Sequence, residues 1–350
     1  MKVALEAASL GLSSGGLARY TGELSLALAR CFPDDEFFLL SDQPFRMPEG
    51  APANLKRGGG PRNAAERRWW IWGLDREMHR LGIELIHGPD FAVPYIPRRP
   101  SVLTLHDLSP WMDPRWHHSA KRVRRRTPLL LDRIATMIVT PGEAVRRQAI
   151  EHFRLQPDRV VAIPEAPAPW LHRVDPPPRE APYFLFVGTL EPRKNLSMLV
   201  DAWREVRRRH TVDLVLAGRK RADAPVIAEE PGLQLIGEVP DEQLAALYSG
   251  AVALVCPSLY EGFGLPVLEA MQCGTGVIAS SAVAEAGGDA AVYADDAETL
   301  TRAMCQAVEQ PGWSAERGAL SLARACEFSW ERTARLTYGV YLEARRRFGN

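Results

Sequence analysis

Several features that identify particular classes of protein are missing from this sequence. Lysine and arginine total 43, and aspartate and glutamate also total 43, so no net charge draws the chain to nucleic acid. The five cysteines form no C-x-x-C pair, which predicts reduced thiols in a cytosolic protein. No uninterrupted apolar run is long enough to span a bilayer, so we expect any membrane contact to be peripheral. The first residues are interrupted by Glu6, which predicts a strand and not a signal peptide.

Cofactor and metal signals are missing as well. The chain contains no G-x-G-x-x-G fingerprint, which disfavours a nicotinamide enzyme. It contains neither an Asp-x-Asp motif nor clustered histidine or cysteine ligands, so the sequence predicts chemistry that needs no metal ion. Any positive charge at a ligand site must then come from side chains or from helix N-termini.

Short apolar runs alternate with amphipathic segments in both halves of the 350 residues. This alternation predicts an α/β protein with two doubly wound parallel sheets. Prolines accumulate between residues 164 and 182, and proline-rich chain is stiff and cannot join a sheet interior, so we predict a linker at 166–182. The predicted domains are 1–165 together with 330–350, and 183–329. Individual predictions include a strand at 183–187, helices at 66–81 and 297–309, a helix and strand within 129–139, and a loop at 282–288.

The most informative stretch, residues 256–274, lies between the apolar runs 251–255 and 276–279, and together they have the order strand, glycine loop, helix, strand. Gly262 and Gly264 let the backbone come close to a ligand, and a proline two residues later suits the first helical turn. The helix N-terminus offers unpaired N–H groups and a positive partial charge, which favour phosphates. Glu261 in the loop and Glu269 in the helix add hydrogen-bond acceptors. The pattern therefore predicts a site for a polyhydroxylated, phosphorylated ligand.

Three segments resemble retaining glycosyltransferases of family 4. Glu261 and Glu269, with seven residues between them that include Gly-Phe-Gly-Leu-Pro, resemble the E-x7-E signature of that family. The string Gly-Thr-Leu-Glu-Pro-Arg-Lys-Asn at 188–195 is similar to its diphosphate site, and Phe-Ser-Trp-Glu at 328–331 is similar to the start of its C-terminal helix. The resemblance implies the GT-B fold, in which two Rossmann-like domains face one another across a cleft. It also implies that a helix at 334–347 crosses back to the first domain.

The expected donor site lies in the second domain. Cleavage of the bond between a sugar and a nucleoside diphosphate leaves negative charge on the departing phosphate, and Arg193 and Lys194 can stabilise it without a metal. The resemblance implies that Glu269 accepts hydrogen bonds from the ribose hydroxyls and that Glu261 accepts them from the transferred sugar. It further implies backbone donors in the glycine loop and a base contact in a neighbouring loop. These residues are Gly262, Phe263, Gly264, Leu265 and, for the base, Val239.

Two motifs of the first domain follow predicted strands. Gly15 and Gly16 form either a tight turn before a helix or, as the resemblance implies, the loop that approaches the donor diphosphate. His106 begins the string His-Asp-Leu-Ser after a short apolar strand, and the carboxyl ends of parallel strands line the ligand crevice of open α/β sheets. Many histidines in such places are structural, but the resemblance implies that His106 lies near the transferred sugar.

A basic stretch at 115–126 contains six cations and no acid. Such runs are commonly solvated surface. The alternative is a surface for anionic lipid headgroups or an acidic acceptor, carried by Arg122, Arg125 and Arg126, with Trp111 and Trp116 as interfacial anchors.

The resemblance implies a retaining hexosyltransferase, and the missing motifs predict that it needs neither a metal ion nor a cofactor. It would move a hexose from a nucleoside-diphosphate sugar to a glycan or a lipid-linked saccharide. The His-Asp-Leu-Ser form and the compact second domain resemble the mannosyltransferases of surface polysaccharide and lipopolysaccharide synthesis, so we expect GDP-mannose as the donor. The expected location is cytoplasmic, with peripheral contact at the inner face of the membrane and no nucleic-acid partner. Two alternatives remain, which are a GT-B-type nucleotide-sugar epimerase and a non-catalytic, two-lobed protein that binds sugar nucleotides.

Overall fold

The structure is a computed structural model that describes residues 1–11, 15–113, 116, 124 and 127–348. The chain divides into two compact units, each built around its own sheet. Unit 1 comprises Met1–Glu165 and Ser329–Asn350, and unit 2 comprises Ala166–Phe328.

The sheet of unit 1 has seven strands in the order β3-β2-β1-β4-β5-β6-β7, and all of the neighbouring pairs are parallel. Its central strands are short and almost wholly buried, as expected where helices cover both faces of a parallel sheet. The strands are β1 (Lys2–Glu6), β2 (Glu36–Leu40), β3 (Leu55–Arg57), β4 (Leu85–Gly88), β5 (Ser101–Thr104), β6 (Met137–Thr140) and β7 (Val160–Ala162).

The sheet of unit 2 has six parallel strands in the order β10-β9-β8-β11-β12-β13. Apolar side chains on its two faces belong to two separate buried clusters, because successive residues of a strand point to opposite faces. The strands are β8 (Tyr183–Val187), β9 (Asp213–Ala217), β10 (Leu233–Gly237), β11 (Ala253–Cys256), β12 (Val277–Ala279) and β13 (Val292–Tyr293). The predicted pair of doubly wound parallel sheets is confirmed.

Amphipathic helices connect the strands. Those of unit 1 are α1 (Gly16–Cys31), α2 (Leu74–Leu81), α3 (Ser109–Met112), α4 (Glu143–Phe153) and α11 (Trp330–Phe348). Those of unit 2 are α5 (Leu196–Arg207), α6 (Asp241–Gly250), α7 (Leu265–Gln272), α8 (Ala284–Gly287), α9 (Ala297–Glu309) and α10 (Trp313–Ala325). Two π-helices, Trp69–Gly73 and Leu130–Ile134, and several short 3₁₀ turns complete the described secondary structure.

The last helix, α11, belongs to unit 1, as the predicted return of the chain to the first domain requires. Ser329 accepts a hydrogen bond from the Arg332 N–H at the start of this helix, as expected of a capping serine. Tyr338 stacks on Phe32 with ring centroids 3.7 Å apart. The buried Tyr341 hydroxyl lies 2.7 Å from His87 Nδ1 of β4. Polar and aromatic contacts therefore fix the helix on its unit.

The proline-rich segment that we predict as a linker contains neither helix nor strand. Two of its residues, Ala168 and Leu171, are buried in a core cluster of unit 2. Gln272 also donates a hydrogen bond to the carbonyl of Ala168 over 2.9 Å. The first part of this segment is therefore packed on unit 2.

Three element predictions require correction. The loop predicted at 282–288 contains the helix α8 between 3₁₀ turns, because Val283 and Ala286 are buried and fix single helical turns against the core. The helices predicted at 66–81 and within 129–139 contain the π-helices Trp69–Gly73 and Leu130–Ile134. Hydrophobic periodicity does not distinguish such turns from α-helix. Among the described residues, no helix is both long enough and apolar enough to cross a membrane.

Candidate functional site

Two loops meet at the carboxyl edge of the unit 2 sheet. The loop after β8 contains Arg193 and Lys194, and the loop after β11 contains Glu261. A backbone hydrogen bond of 2.9 Å from the Leu259 N–H to the Arg193 carbonyl joins them. The loop after β9 also comes close, since a Cβ on Gly218 would stand 2.0 Å from a backbone oxygen of the loop after β8. The structure thus brings three of the predicted catalytic residues together.

Glu261 lies at the centre of a buried charge cluster. Its carboxylate accepts hydrogen bonds from the Lys194 ammonium and from Arg193 Nη1, the latter at 2.9 Å. The Ser258 hydroxyl, which the sequence analysis did not select, donates to Glu261 Oε1 over 2.7 Å. The side chains of the three charged residues are only 10–12% exposed. Low exposure keeps water from screening these charges.

The charge state of Glu261 follows from these neighbours. Burial alone would raise the pKa of its carboxyl, but Lys194 and Arg193 lower that pKa to about 2. The group is therefore an ionised acceptor at neutral pH. A carboxylate offers about four lone-pair positions. Within the described part of the chain, three are used by the two cations and Ser258, so Oε2 can accept one more hydrogen bond.

The two cations are held differently. Arg193 donates from Nη1 to Glu261 and to the Tyr260 carbonyl (2.7 Å), and from Nε and Nη2 to Glu191 at 3.1 and 2.8 Å. In the residues that the structure describes, the Lys194 ammonium hydrogen-bonds to Glu261 alone. An ammonium has three N–H donors. Lys194 thus keeps donors for an anionic ligand, whereas Arg193 fixes the geometry of the two loops.

Sequence reasoning missed the role of Glu191. This buried carboxylate accepts hydrogen bonds from Arg193 and also from Arg221, which follows β9. Arg221 in turn donates to Asp223 over 2.6 Å. The sequence feature that could have identified Glu191 is its position inside the string 188–195, two residues before Arg193. Glu191 therefore holds the guanidinium groups of Arg193 and Arg221 in place.

Helix α7 begins at this edge, directly after Gly264. The φ angle of Gly264 is +110°, a conformation that favours glycine, and a Cβ there would lie 2.9 Å from Val283 Cγ1. One turn further on, Glu269 is 2% exposed and accepts a 2.9 Å hydrogen bond from the Tyr248 hydroxyl. Tyr248 is therefore a further candidate site residue, which the sequence analysis did not select.

The other residues predicted to bind the donor differ in how deeply they are buried. The Phe263 side chain is buried and packs edge to face with Phe328, with centroids 5.9 Å apart, so its backbone is the part expected to serve a ligand. Gly262 and Leu265 are half-buried beside it. Val239 is half-buried and packs against the same core cluster as Phe263.

Other predicted site residues belong to unit 1. Gly15 is exposed, has a φ angle of +119° and precedes α1, which begins at Gly16. A Cβ on Gly15 would meet no atom within 4 Å, so the backbone angle alone favours glycine there. The predicted acceptor or membrane residues Arg122, Arg125 and Arg126 lie outside the described residues.

His106 follows β5 and is held on both sides of its ring. Its Nδ1 lies 3.0 Å from Glu165 Oε1, and its Nε2 lies 2.7 Å from the Pro89 carbonyl. Tyr20 packs edge to face on the ring with centroids 4.7 Å apart. Burial favours a neutral ring, but Glu165, the Pro89 carbonyl and Asp90 together raise the pKa of His106 above its ordinary value. Two acceptors on two ring nitrogens match the imidazolium form.

Buried carboxyls accompany His106 at this edge of the unit 1 sheet. Burial first, and then repulsion from Asp90 and Asp42, raise the pKa of Glu6 at the end of β1 to about 8, against the opposing hydrogen bond from the Ala8 N–H. Burial also raises the pKa of Asp90, while His106 opposes that rise. With a pKa of about 8, the Glu6 carboxyl is mainly protonated at neutral pH, so it can both donate and accept hydrogen bonds, as recognition of hydroxyl-rich ligands requires.

One trio of possible metal ligands occurs among the described residues, formed by His210, Cys305 and Glu309. Their ligand atoms lie within 4.8 Å of one another. His210 follows the carboxyl end of α5, whereas Lys194 precedes its amino end. A helix of 12 residues, about 18 Å long, separates the trio from the charge cluster. The trio is therefore not part of the predicted catalytic site.

The sequence matches two family descriptions. Residues 181–310 match "Glycosyl transferases group 1", and residues 14–166 match "Glycosyltransferase Family 4". The O-antigen chain mannosyltransferase B of Escherichia coli is 34% identical over 286 residues, which cover 73% of this chain and 74% of that protein. The serotype-specific mannosyltransferase WbdA of E. coli is 35% identical over 169 residues, covering 44% of this chain and 21% of that protein.

A solved structure gives the fold independently of sequence. Sucrose-phosphate synthase from Thermosynechococcus elongatus superposes with a TM-score of 0.76 over 98% of both chains at 21% identity. At that identity the likeness concerns the architecture alone, which is that of GT-B enzymes. The motifs, the two family matches and the relative aligned over three quarters of its length agree, and they favour glycosyl transfer over the epimerase and the non-catalytic binding protein. The chain belongs to the family 4 glycosyltransferases of the group 1 type and is a glycosyltransferase with the GT-B fold.

Proposed function

We propose that this enzyme transfers mannose from GDP-mannose to a saccharide acceptor, either free or lipid-linked, with retention of anomeric configuration and without a metal ion. The observation that carries the proposal is the buried cluster in which Lys194 and Arg193 surround Glu261. The names of both E. coli relatives support the choice of mannose. The O-antigen named for one of them supports a surface polysaccharide as the product.

Lys194 is the residue to which we assign the donor diphosphate. Its side chain is 11% exposed and its ammonium has further N–H donors, so a phosphate oxygen can replace or share the contact with Glu261. Arg193 adds a second positive charge within the same cluster. Positive charge fixed in a poorly hydrated site stabilises the charge that develops on a leaving phosphate. This is the basis for proposing that no metal is required.

The two carboxylates would bind the two sugars of the donor. The remaining acceptor position on Glu261 Oε2 suits a hydroxyl of the transferred mannose. Glu269, buried behind the N-terminus of α7, would accept hydrogen bonds from the ribose while Tyr248 holds its other side. The backbone N–H groups that follow Gly264 would add neutral donors for the diphosphate.

In the proposed reaction the bond between the anomeric carbon and the phosphate oxygen breaks, and the electron pair leaves with the phosphate. The acceptor hydroxyl attacks the same face of that carbon, and its proton passes to the departing phosphate oxygen. No protein nucleophile is required in this route. The role of the protein is to hold the diphosphate with Lys194 and Arg193 and to orient the sugar with Glu261.

The acceptor would bind unit 1, where His106, Glu165, Asp90 and Glu6 form a polar edge beside the carboxyl ends of β1 and β5. We also propose that the enzyme works in the cytoplasm in peripheral contact with the membrane. The five cysteines, none of which forms a disulfide, support a reducing compartment.

Thermal unfolding with nucleoside diphosphates tests the donor site. We would add GDP, UDP, ADP, TDP or NAD at saturation, since a ligand at 100 times its dissociation constant stabilises a protein by about 2.7 kcal/mol. The expected result is a shift with GDP that Glu269→Gln reduces. A shift with UDP alone would overturn the choice of base and donor, and no shift with any diphosphate would overturn the assigned site.

Transfer itself needs a second measurement. GDP-mannose labelled in the sugar would be incubated with a mannoside acceptor, with and without EDTA, and the products separated by chromatography. We expect an acceptor-linked product with an α-linkage and the same rate in EDTA. Free epimerised donor, or dependence on added metal, would contradict the proposal.

A further inference from the structure

A compact aromatic and basic surface of unit 1 has no part in the donor or acceptor site. It is formed by Ile71 and Trp72 of the π-helix Trp69–Gly73 together with three arginines around them. The arginines are Arg68, Arg76 and Arg98, and we call the whole set the Trp72 surface.

The π-helix is anchored on one side only. Trp69 is 2% exposed and lies in a buried cluster of unit 1, and the half-buried Trp70 packs against the same cluster. Ile71 and Trp72 face the other way and are 38% and 40% exposed. Two large apolar side chains next to each other in solvent are unfavourable unless they are covered in use. π-helical turns are also frequent at functional sites.

The arginines are placed around Trp72. Arg68 accepts the 2.9 Å hydrogen bond of the Trp72 N–H through its carbonyl, and Arg76 lies four residues after Trp72 on the same helical face. The Arg98 guanidinium lies over the Trp72 ring, 5.6 Å from its centroid. Each of these arginines is exposed.

In the region of the Trp72 surface, the arginines and the carboxylates lie at different depths. Residues 62–80 with 98–99 contain seven arginines and three carboxylates, a net charge of +4. Two of the carboxylates, Glu66 and Glu77, are 1% exposed and form ion pairs with the guanidinium groups of Arg62, Arg76 and Arg80. Asp75 is 15% exposed and pairs with Arg98 and Arg99. Within the described residues, no ion pair involves Arg68. The outer layer therefore combines positive charge with an indole.

We infer that the Trp72 surface docks the enzyme on an anionic phospholipid bilayer. The inference deepens the proposed function, on which it rests, because an enzyme for lipid-linked acceptors needs a membrane contact. Arginines complement phosphate headgroups, and each basic residue near an anionic membrane contributes to binding. Tryptophan prefers the interface between headgroups and hydrocarbon, where the half-exposed Trp72 ring would be covered.

Vesicle co-sedimentation tests the inference with the full chain. Wild type would be mixed with phosphatidylcholine vesicles containing or lacking phosphatidylglycerol, at low and high salt. We expect binding to the anionic vesicles that falls with added salt. Trp72→Ser should weaken binding about 10-fold, because the membrane would no longer cover the exposed 40% of the tryptophan. Arg68→Ala should weaken it about 5-fold.

Leu336→Ser is the matched control, since Leu336 is an exposed apolar residue on α11 of the same unit, 43% exposed. It should bind vesicles as the wild type does. Absence of wild-type binding to anionic vesicles, or equal binding by Trp72→Ser, would overturn the inference. The same preparations would be assayed with a soluble mannoside acceptor. Transfer without vesicle binding contradicts the membrane surface alone, whereas vesicle binding without transfer contradicts the proposed function alone.

Discussion

The sharpest prediction concerns Lys194→Met, which removes the charge and keeps most of the side-chain volume. We expect kcat to fall about 10²- to 10³-fold, because removing one preorganised group that stabilises transition-state charge has effects of that order. Because the Lys194 side chain is only 11% exposed, water cannot readily supply the stabilisation that the ammonium provides. Donor affinity should fall by less than kcat, since the developing charge is greatest in the transition state.

The structure also indicates how much folding stability Lys194→Met should lose. The fall in the pKa of Glu261 from 4.5 to about 2 corresponds to about 3 kcal/mol. Because that pKa is lower in the folded state, this stabilisation is present above pH 4.5 and is lost as the pH falls toward 2. Lys194 and Arg193 share it, so Lys194→Met should lose only part of it. Arg193 remains beside Glu261 in this variant and should keep the Glu261 carboxylate ionised at pH 7. A lower rate would therefore not result from protonation of Glu261.

The assay is release of GDP from GDP-mannose with a mannoside acceptor, beside thermal unfolding of each variant. Lys56→Met is the control, because Lys56 forms an exposed ion pair with Glu36 far along the chain from the site. Arg193→Met is the contrasting variant, since it breaks four hydrogen bonds to Glu191, Tyr260 and Glu261 and should lose more stability. A folded Lys194→Met enzyme with a near-normal rate would refute the assignment of Lys194 to the leaving phosphate.

Three further predictions use other parts of the two units. Glu269→Gln should weaken GDP binding by about 1.5–3 kcal/mol through loss of a charged acceptor, measured by calorimetry, and unchanged affinity would count against its ribose role. Gly264→Ala should destabilise the fold by about 1–3 kcal/mol in urea, because its φ angle is +110° and Val283 leaves no room for a Cβ. The raised pKa of His106 adds stability that is complete below pH 6.5 and lost as the pH rises through the folded value, so Glu165→Gln should flatten the decline of the urea midpoint between pH 6 and pH 9.

Much of the fold could be predicted because parallel strands buried on both faces are nearly continuous apolar runs. The strand at 183–187 and the helix at 297–309 have the predicted bounds. The strands that were missed are β3, β7 and β13, which lie at sheet edges and have only two or three residues. Such short strands are defined by hydrogen bonding to a neighbouring strand, and a hydrophobic pattern of two or three residues does not reveal that pairing.

Helix α10 could not be predicted from the sequence for a different reason. No element was predicted there, and Gly318 in its middle lowers helix propensity. The structure gives the reason for this glycine, since a Cβ on it would lie 2.5 Å from the Gly274 carbonyl. Close packing of the helix against the chain after α7 therefore outweighs local propensity. That contact joins residues 44 positions apart and leaves no local signal.

The candidate site was predictable as a set of residues but not as a set of contacts. Resemblance places Lys194 and Glu261 in one donor site, yet it does not indicate that they pair with each other across 67 positions of sequence. Nor does it distinguish the locked Arg193 from the less constrained Lys194. Glu165 was missed because it lies among the prolines that mark the predicted linker, although its carboxylate holds His106. Such pairings depend on which strand ends the topology makes neighbours.

The geometry of His106 bears on what a histidine near the transferred sugar can do. Both of its nitrogens already meet acceptors, Glu165 and the Pro89 carbonyl, so in this arrangement it has no N–H to give to a sugar hydroxyl. A hydrogen bond to substrate would require one of these contacts to break. Without that change its contribution is a fixed positive charge, largely balanced by Glu165, together with a ring face packed by Tyr20. We therefore expect His106 to act chiefly by positioning this edge of unit 1, while the charge that assists departure of the phosphate comes from Lys194.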